Sequence, residues 1–214
     1  MTFIEIINSV LLRLREQSVL SVNDNPYTQL IGELVNVTKT EIENAWDWSA
    51  LQSTVTLFTE NGISNYVLTG TNVNSRIIDV INFTTHNYLK RESTKEFNYR
   101  FFMETVQNLE PLYYSLNGID TASDSLKVDL YPVPNNIYEI KFDLTIPQTK
   151  LINDSDIPLI PSIVLIEGTI AKALEERGDD GGSPLQQQRY MALLADYISI
   201  EASKRPEEVD WVAT

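Results

Sequence analysis

Ala45-Trp46-Asp47-Trp48-Ser49 separates two kinds of sequence in this chain. Before it, apolar residues recur every three or four positions, which is the spacing of one helix face; after it, Val55 and Leu57 alternate with polar neighbours, as in a half-buried strand. The helical spacing returns only near Pro161. We therefore predict an α+β fold in which helices from the two ends of the chain form an antiparallel helical bundle, with a mostly antiparallel β domain inserted between them.

The predicted boundaries divide the chain into three parts. Residues 1–50 and 157–205 form the discontinuous helical bundle, residues 51–156 form the β domain with one short helix, and residues 206–214 form an extended C-terminal tail. A chain of 214 residues can bury a substantial core in such an arrangement, because it is long enough to remove roughly 70% of its unfolded surface from water.

Two tryptophans, Trp46 and Trp48, stand at the first of these boundaries. A buried indole ring removes on the order of 150–250 Å² from water. We therefore predict that both rings pack at the junction between the bundle and the β domain.

The terminal segments carry clear helix signals. Pro26 suits a first helical turn, where its missing N–H would be unsatisfied in any case, and Gly178 suits a helix end. Ser183 suits the N-cap of the last helix. We predict helices over residues 3–14, 26–47, 162–177 and 184–205. The predicted buried stripe of the last helix consists of Tyr190, Met191, Leu194, Tyr197 and Ile198.

The β domain has two strands with a regular alternation of apolar and polar residues, at 126–130 and 138–146. The connector Pro132-Val133-Pro134-Asn135-Asn136 cannot continue a ladder, because proline lacks the amide donor. We therefore predict that these strands form an antiparallel hairpin. Asn61-Gly62 is an earlier turn of the type that hairpins prefer, and residues 95–106 are predicted to form the short helix.

The chain lacks the sequence signatures of the common catalytic sites. It has no cysteine and a single histidine, His86. It also lacks the glycine-rich phosphate loops and the paired-histidine motif of zinc hydrolases. Asp154 and Asp156 precede Pro158 as turn residues and do not follow the calcium-loop pattern, which requires a central glycine and a final glutamate. We predict no catalytic residue, no cofactor and no metal ligand.

The net charge of −14 indicates a protein that does not grip nucleic acid, because affinity for phosphates is built from clustered Lys and Arg. The sequence also contains no apolar run of the roughly 20 residues needed to cross a bilayer. We therefore expect a soluble protein that has no membrane partner and is made in a cytoplasm.

The C-terminal tail ends in apolar side chains set among acidic ones, with Val209, Trp211 and Val212 as the largest. Isolated aromatic anchors of this kind are typical of interface hot spots. We predict that these three residues dock on a partner protein.

The order of these features resembles the head-to-tail adaptor family of short-tailed bacteriophages, also called tail tubular protein A. The resemblance rests on Trp46-Asp47-Trp48, on Arg76-Ile77-Ile78-Asp79-Val80 before a short aromatic helix, on Leu130-Tyr131-Pro132-Val133-Pro134, and on Asp156-Ile157-Pro158 before two closing helices. It covers essentially the whole chain in order.

The resemblance implies a non-enzymatic virion protein at the head-tail junction, made in the host bacterial cytoplasm. It implies a homo-oligomeric ring, a dodecamer, that joins the portal protein above to the tail nozzle protein below. Genome DNA would pass through the lumen of the ring without specific binding. The tail residues Val209, Trp211 and Val212 would then contact the portal.

Two other functions remain open from the residues alone. The 10 Tyr and 3 Trp could stack on sugars in a carbohydrate- or receptor-binding module, which would expose a cluster of aromatics on the β domain. A carboxylate-based hydrolase would need two acidic side chains converging in a cleft. With 30 acidic residues in the chain, sequence cannot select such a pair.

Overall fold

A computed structural model of the protein describes residues 1–103, 105–178 and 182–204. Helices occupy both ends of the described chain, and strands occupy its middle. The predicted α+β class is therefore confirmed. The chain divides into two compact units: a β unit, Leu51–Pro147, and a helical unit formed by Met1–Ala50 together with the chain from Gln148 onward.

Five helices lie within the described residues, and α3 is the one that belongs to the β unit. They are α1 (Phe3–Arg13), α2 (Pro26–Ala45), α3 (Thr94–Phe102), α4 (Ser162–Glu176) and α5 (Ser183–Ser203).

The start of each N-terminal helix is determined locally. The Thr2 side chain accepts from the backbone N–H of Glu5 while the Glu5 carboxylate accepts from that of Thr2, which is a capping box. Asn25 and Thr28 make the same reciprocal pair at the start of α2. These bonds satisfy amides that have no partner inside the helix, so the helix starts are legible in the sequence.

Helix α4 is the centre of the helical unit, because it contacts α1, α2 and α5. Its middle residue Gly168 shows how close these contacts are. A Cβ atom at this position would lie 2.6 Å from Cγ2 of Thr38 on α2 and 2.8 Å from Cε2 of Tyr190 on α5. Only glycine lets both neighbouring helices approach α4 this closely.

The return of the chain from strands to helices differs from the prediction. Residues 148–156 were assigned to the β domain, but they lie in the helical unit. The irregular backbone there finds its hydrogen-bond partners on α1 and α2: the N–H of Leu151 donates to Oδ1 of Asn36 over 2.8 Å, and the N–H of Phe3 donates to the carbonyl of Asp156 over 2.7 Å. Because an irregular segment must satisfy its peptide groups non-locally, its own sequence does not show where it belongs.

The strands form two four-stranded sheets and one two-stranded sheet. Sheet A has the order β1-β10-β3-β4, sheet B has the order β2-β8-β7-β5, and β6 pairs with β9. The pairs are antiparallel except β5–β7 and β6–β9. The strands are β1 (Gln52–Phe58), β2 (Asn65–Val67), β3 (Arg76–Asn82), β4 (Asn87–Tyr88), β5 (Lys90–Arg91), β6 (Asn108–Leu109), β7 (Tyr113–Asp120), β8 (Ser125–Tyr131), β9 (Val133–Pro134) and β10 (Glu139–Thr145).

Sheets A and B share one hydrophobic core. Sheet A contributes Val80, Ile140, Phe142 and Leu144 to this core, and sheet B contributes Tyr66, Tyr114, Leu126, Val128 and Leu130. The rings of Phe142 and Tyr114 meet edge to face across this core, with their centroids 6.2 Å apart. The β unit is therefore a two-layered structure in which the longer strands of each sheet turn one face to the shared core.

The predicted hairpin is wrong, because β8 and β10 lie in different sheets. Strand β8 pairs with β7 and β2, whereas β10 pairs with β1 and β3. The alternation of apolar and polar residues correctly indicated that each strand has one buried face. Two such strands can share a core when they lie in opposite sheets as well as when they pair within one sheet. The turn at Gly62 does have positive φ, yet β1 and β2 also enter different sheets. Strand β7 was not predicted.

The predicted buried stripe of α5 is correct in part. Tyr190 is buried, and Leu194, Tyr197 and Ile198 are half-buried. Met191, however, is 52% exposed, so its assignment to the stripe is wrong. Met191 directly follows Tyr190, and a step of about 100° around the helix carries its side chain away from α4.

Candidate interaction surfaces

The two junction tryptophans belong to the helical unit. Trp48 is 1% exposed, and its indole Nε1–H donates to the carbonyl of Ile42 over 2.7 Å. Trp46 is half-buried and is the C-cap residue of α2. Trp48 thus closes the end of α2 by accounting for one of its terminal carbonyls. The role of both rings between the two parts of the chain stays a prediction.

The tail residues that were predicted to dock on a partner, Val209, Trp211 and Val212, lie outside the described residues. The helix that precedes them, α5, is described as far as Ser203. The surface of α5 is therefore the described part of the chain closest in sequence to the predicted docking tail.

Helix α5 presents an uncharged face to solvent. Only Tyr190 of its 21 residues is buried. Leu185, on the side away from Tyr190, is 72% exposed, and Met191, about 100° around the helix from Tyr190, is 52% exposed. We define the α5 outer face as the exposed residues Leu185, Gln188, Ala192, Ala195 and Ser199, which are bordered on one side by Met191 and on the other by the exposed Asp196. The small residues in this face would allow another helix to approach closely, and no member carries a charge in a chain of net charge −14.

A buried carboxylate, Glu167 on α4, anchors α5. It is 3% exposed and receives hydrogen bonds from Arg13 of α1 at 3.0 and 3.3 Å and from Nε2 of Gln186 at 2.5 Å. The guanidinium of Arg189 lies 3.2 Å from the same carboxylate. Burial raises the pKa of Glu167, but the hydrogen bonds from Arg13 and Gln186 and the charges of the two arginines outweigh it, so the net pKa lies below the ordinary value.

We expect Glu167→Gln to lower the free energy of unfolding by about 1.5–3 kcal/mol at neutral pH, because hydrogen bonds to a charged group are lost. The folded-state pKa is lowered, so the carboxylate stabilises the fold above its unfolded value of 4.5 and this contribution is lost as the pH falls below that value. Urea unfolding between pH 3 and 8 should therefore show a flatter acid limb for the variant. Glu33→Gln, at an exposed ion pair with Lys150, is the matched control and should leave the acid limb unchanged.

The outer face of sheet A carries exposed aromatic rings. Phe58 lies opposite Glu139 in the β1–β10 register, and the N–H of Phe83 donates to the carbonyl of Glu139 over 2.8 Å, so the two phenyl groups flank this carboxylate. The ammonium of Lys141 lies 3.8 Å from the Phe83 ring centroid and 3.4 Å from the Glu139 carboxylate. Tyr88, which is 64% exposed, follows on β4. Aromatic rings beside a charged pair can stack on flat ligands and hydrogen-bond their polar groups.

Four grooves among the described residues bear on the alternative of a carboxylate-based hydrolase. Four grooves with volumes between about 270 and 490 Å³ are each lined by one carboxylate. Glycoside hydrolysis by the common mechanisms needs two. Among the residues that the structure describes, no group of three His, Asp or Glu side chains could hold a metal ion, and no helix is both long and apolar enough to span a membrane. The carboxylates that line the four grooves, one in each, are Glu33, Asp156, Glu92 and Asp129.

The sequence prediction missed two features of the structure, the α5 outer face and the Glu167 cluster. The α5 outer face could have been found in the sequence, since the uncharged residues recur at helical spacing from Leu185 to Ser199. The Glu167 cluster could not, because Arg13 and Glu167 are 154 positions apart.

No model of a known protein family matches this chain, and no curated protein is significantly similar to it.

Proposed function

We propose that this protein is a structural subunit of a bacteriophage virion that acts as a head-to-tail adaptor. Copies of the chain form a ring, a dodecamer by the sequence resemblance, beneath the portal protein, and the tail nozzle protein docks below. The subunit performs no chemistry. In its finer architecture, α1, α2, α4 and α5 form an antiparallel bundle that serves as the scaffold for self-association.

The observation that carries this proposal is the α5 outer face. A ring needs a surface on each copy that packs against a different surface of the next copy. Helices packed side by side require a face free of charge, and small residues allow a close approach. Ala192 and Ala195, flanked by Leu185 and Met191, meet these requirements on the exposed side of α5.

The excess of acidic over basic residues in the chain supports the proposal that DNA passes through the ring. A channel wall with an excess of carboxylates repels phosphates, so the genome would slide without binding. The net charge of −14 is in keeping with this role, because the adaptor needs protein partners and no grip on nucleic acid. The virion head-tail junction is the location that this function implies.

The portal-docking role is assigned to the tail, with Val209, Trp211 and Val212 as the apolar contacts. Deletion of residues 207–214 should abolish binding to a cognate portal and leave the helical content of the free protein unchanged. Native mass spectrometry of the mixture with the portal measures the binding. Intact portal binding by the truncated chain would contradict this assignment.

Self-association is tested separately by charge on the α5 outer face. Ala195→Arg should reduce the yield of rings on the portal at least tenfold, because an unpaired charge at a helix contact costs more than the roughly 1.4 kcal/mol that a tenfold change represents. Alanine and arginine have similar helix propensities, so the helix itself should persist. Gln187→Arg, which is exposed on another side of α5, is the matched control and should assemble normally. Rings formed equally well by Ala195→Arg would rule out this face as the contact.

A second candidate function, carbohydrate or receptor binding, is favoured by the outer face of sheet A. Phe58, Phe83 and Tyr88 are each at least 47% exposed there, beside Glu139 and Lys141. Such a module would bind specific glycans on an array and lose that binding on Phe83→Ala. An absence of glycan binding by the wild-type protein would remove this candidate.

A further inference from the structure

Strand β1 is an unusual edge in this structure. The two four-stranded sheets have four edges, formed by β1 and β4 in sheet A and by β2 and β5 in sheet B. The edges β4, β2 and β5 are only two or three residues long, whereas β1 has seven residues. Short edge strands are a common way to prevent pairing with another chain. Strand β1 lacks this protection.

The ladder with β10 determines which peptide groups of β1 point away from the sheet. The N–H of Ile146 donates to the carbonyl of Leu51, and the N–H of Thr59 donates to the carbonyl of Tyr138. Odd-numbered residues of β1 therefore bond to β10, and even-numbered residues direct their peptide groups to the open side, since these directions alternate along an antiparallel strand. Within the described part of the chain, the outward groups of Thr54, Thr56 and Phe58 meet no other strand.

Strand β1 also lacks the other features that protect an edge. Its sequence, Gln-Ser-Thr-Val-Thr-Leu-Phe, contains no charge and no proline. Its register with β10 runs residue for residue without a bulge. Thr54, Thr56 and Phe58 are exposed, while Val55 and Leu57 are half-buried against the core. The edge is thus a regular template with an exposed outer face of Thr54, Thr56 and Phe58 and an apolar inner face of Val55 and Leu57.

We infer that β1 is a pairing site for the β1 strand of a second copy of this chain. The other three edges are too short to supply a partner strand of matching length. The chain carries a net charge of −14, and two copies repel each other wherever acidic surfaces meet. An uncharged strand lets two copies approach without placing like charges opposite each other. A strand added to β1 must place apolar side chains on the core side and exposed side chains on the outer side. Strand β1 itself alternates in this way.

Antiparallel pairing about Thr56 satisfies both faces. Thr56 then lies opposite Thr56 of the second copy, and Thr54 lies opposite Phe58. These are the residues whose peptide groups point outward, so each pair exchanges hydrogen bonds. On the core side Val55 lies opposite Leu57, which extends the apolar layer across the contact. Because the contact involves little more than one strand from each copy, it is a weak interface of the smaller size class.

The absence of native cysteine allows a direct test by cross-linking. In the stated register, the two Thr56 Cα atoms lie about 5.5 Å apart, within the range that a disulfide spans. Thr56→Cys should form a covalent dimer on mild oxidation. Thr54→Cys alone should not, because its two copies lie roughly 13 Å apart along the ladder. Mixed Thr54→Cys and Phe58→Cys proteins should cross-link to each other.

A second test measures the contact without cross-linking. Thr56→Lys places two ammonium groups opposite each other and should weaken self-association at least tenfold in sedimentation experiments at protein concentrations on the order of 100 µM. The added lysine reduces the net negative charge, so a loss of association cannot result from greater overall repulsion. Thr56→Ser is the matched control and should associate as the wild type does.

The inference is overturned if Thr56→Cys and Thr54→Cys cross-link equally, if neither cross-links, or if Thr56→Lys associates like Thr56→Ser. It does not rest on the proposed ring, which forms through α5. Ala195→Arg should therefore leave the β1 cross-link intact, and Thr56→Lys should leave ring formation on the portal intact.

Discussion

Lys39→Ala should lower the free energy of unfolding of the helical unit by about 3–5 kcal/mol. Lys39 and Glu43 are 2% and 1% exposed, and the Lys39 ammonium lies 3.0 Å from both carboxylate oxygens. The same ammonium donates to the carbonyl of Gln148 over 2.6 Å, which links residues 148–156 to α2. Removal of the lysine leaves a buried carboxylate without its cation. Urea unfolding followed by tryptophan fluorescence measures the change, since two of the three tryptophans, Trp46 and Trp48, lie in the described part of the helical unit.

Lys150→Ala is the matched control, because Lys150 makes a similar ion pair with Glu33 at the surface. Exposed pairs contribute about 0–1 kcal/mol, so this variant should unfold nearly as the wild type does. The double change Lys39→Met with Glu43→Leu should recover most of the lost stability, since it removes both buried charges. If Lys39→Ala and Lys150→Ala have equal effects, the Lys39 pair is not buried in solution.

The effect of Lys39→Ala should also depend on pH. Burial raises the pKa of Glu43, and the hydrogen bond and charge of Lys39 oppose this rise. Without the lysine the folded-state pKa rises further above its unfolded value of 4.5. A carboxyl with a raised folded-state pKa is best tolerated when protonated, so stability is lost as the pH rises through that pKa. The deficit of the variant relative to wild type should therefore narrow as the pH falls toward 4.5.

Phe142→Ala should destabilise the β unit by about 3–5 kcal/mol, because it leaves a cavity between the two sheets. Phe142 has no exposed surface, and its ring packs edge to face on Tyr114. The β unit contains no tryptophan, so hydrogen exchange of peptides from β10 is the appropriate measurement. These amides should exchange faster in the variant.

Phe58→Ala provides the matched control for Phe142→Ala. Phe58 lies one strand away on β1, but its side chain is on the outer face of sheet A and is 62% exposed. Its removal should change stability by less than about 0.5 kcal/mol. Equal exchange rates in the two variants would show that sheets A and B do not share a core in solution.

The helical part of the fold was largely predictable. The caps at Thr2 and Asn25, the proline at position 26 and the glycine at position 178 act on neighbouring peptide groups. The starts of α1 and α2 and the end of α4 therefore follow from short stretches of sequence. The start of the β unit at Leu51 was visible for the same reason, since the change of apolar spacing is local.

Strand pairing could not be predicted in the same way. The alternation in β8 and β10 indicates that each strand has one buried face. The apolar face of each strand is indeed buried. It carries no information about which strand lies beside which. The burial of the Glu167 carboxylate was equally inaccessible, because its partners come from α1 and α5 and its own position in the sequence is an ordinary helical one.

The sequence by itself determined the α+β class, the starts of α1 and α2, the alternating faces of β8 and β10 and the acidic, cysteine-free character of the chain. Each of these depends on composition or on residues within one turn or one strand of each other. The predicted N-cap of the last helix is wrong, because Gly182 occupies that position and Ser183 is the first residue of α5. Tertiary structure alone decided the membership of residues 148–156, the separation of β8 and β10 into two sheets, the exposed edge of β1 and the outward position of Met191. The physical reason is that contacts between residues distant in sequence determine burial and strand pairing. Several arrangements of these contacts are consistent with the same local sequence pattern, and they differ only in the free energy of packing.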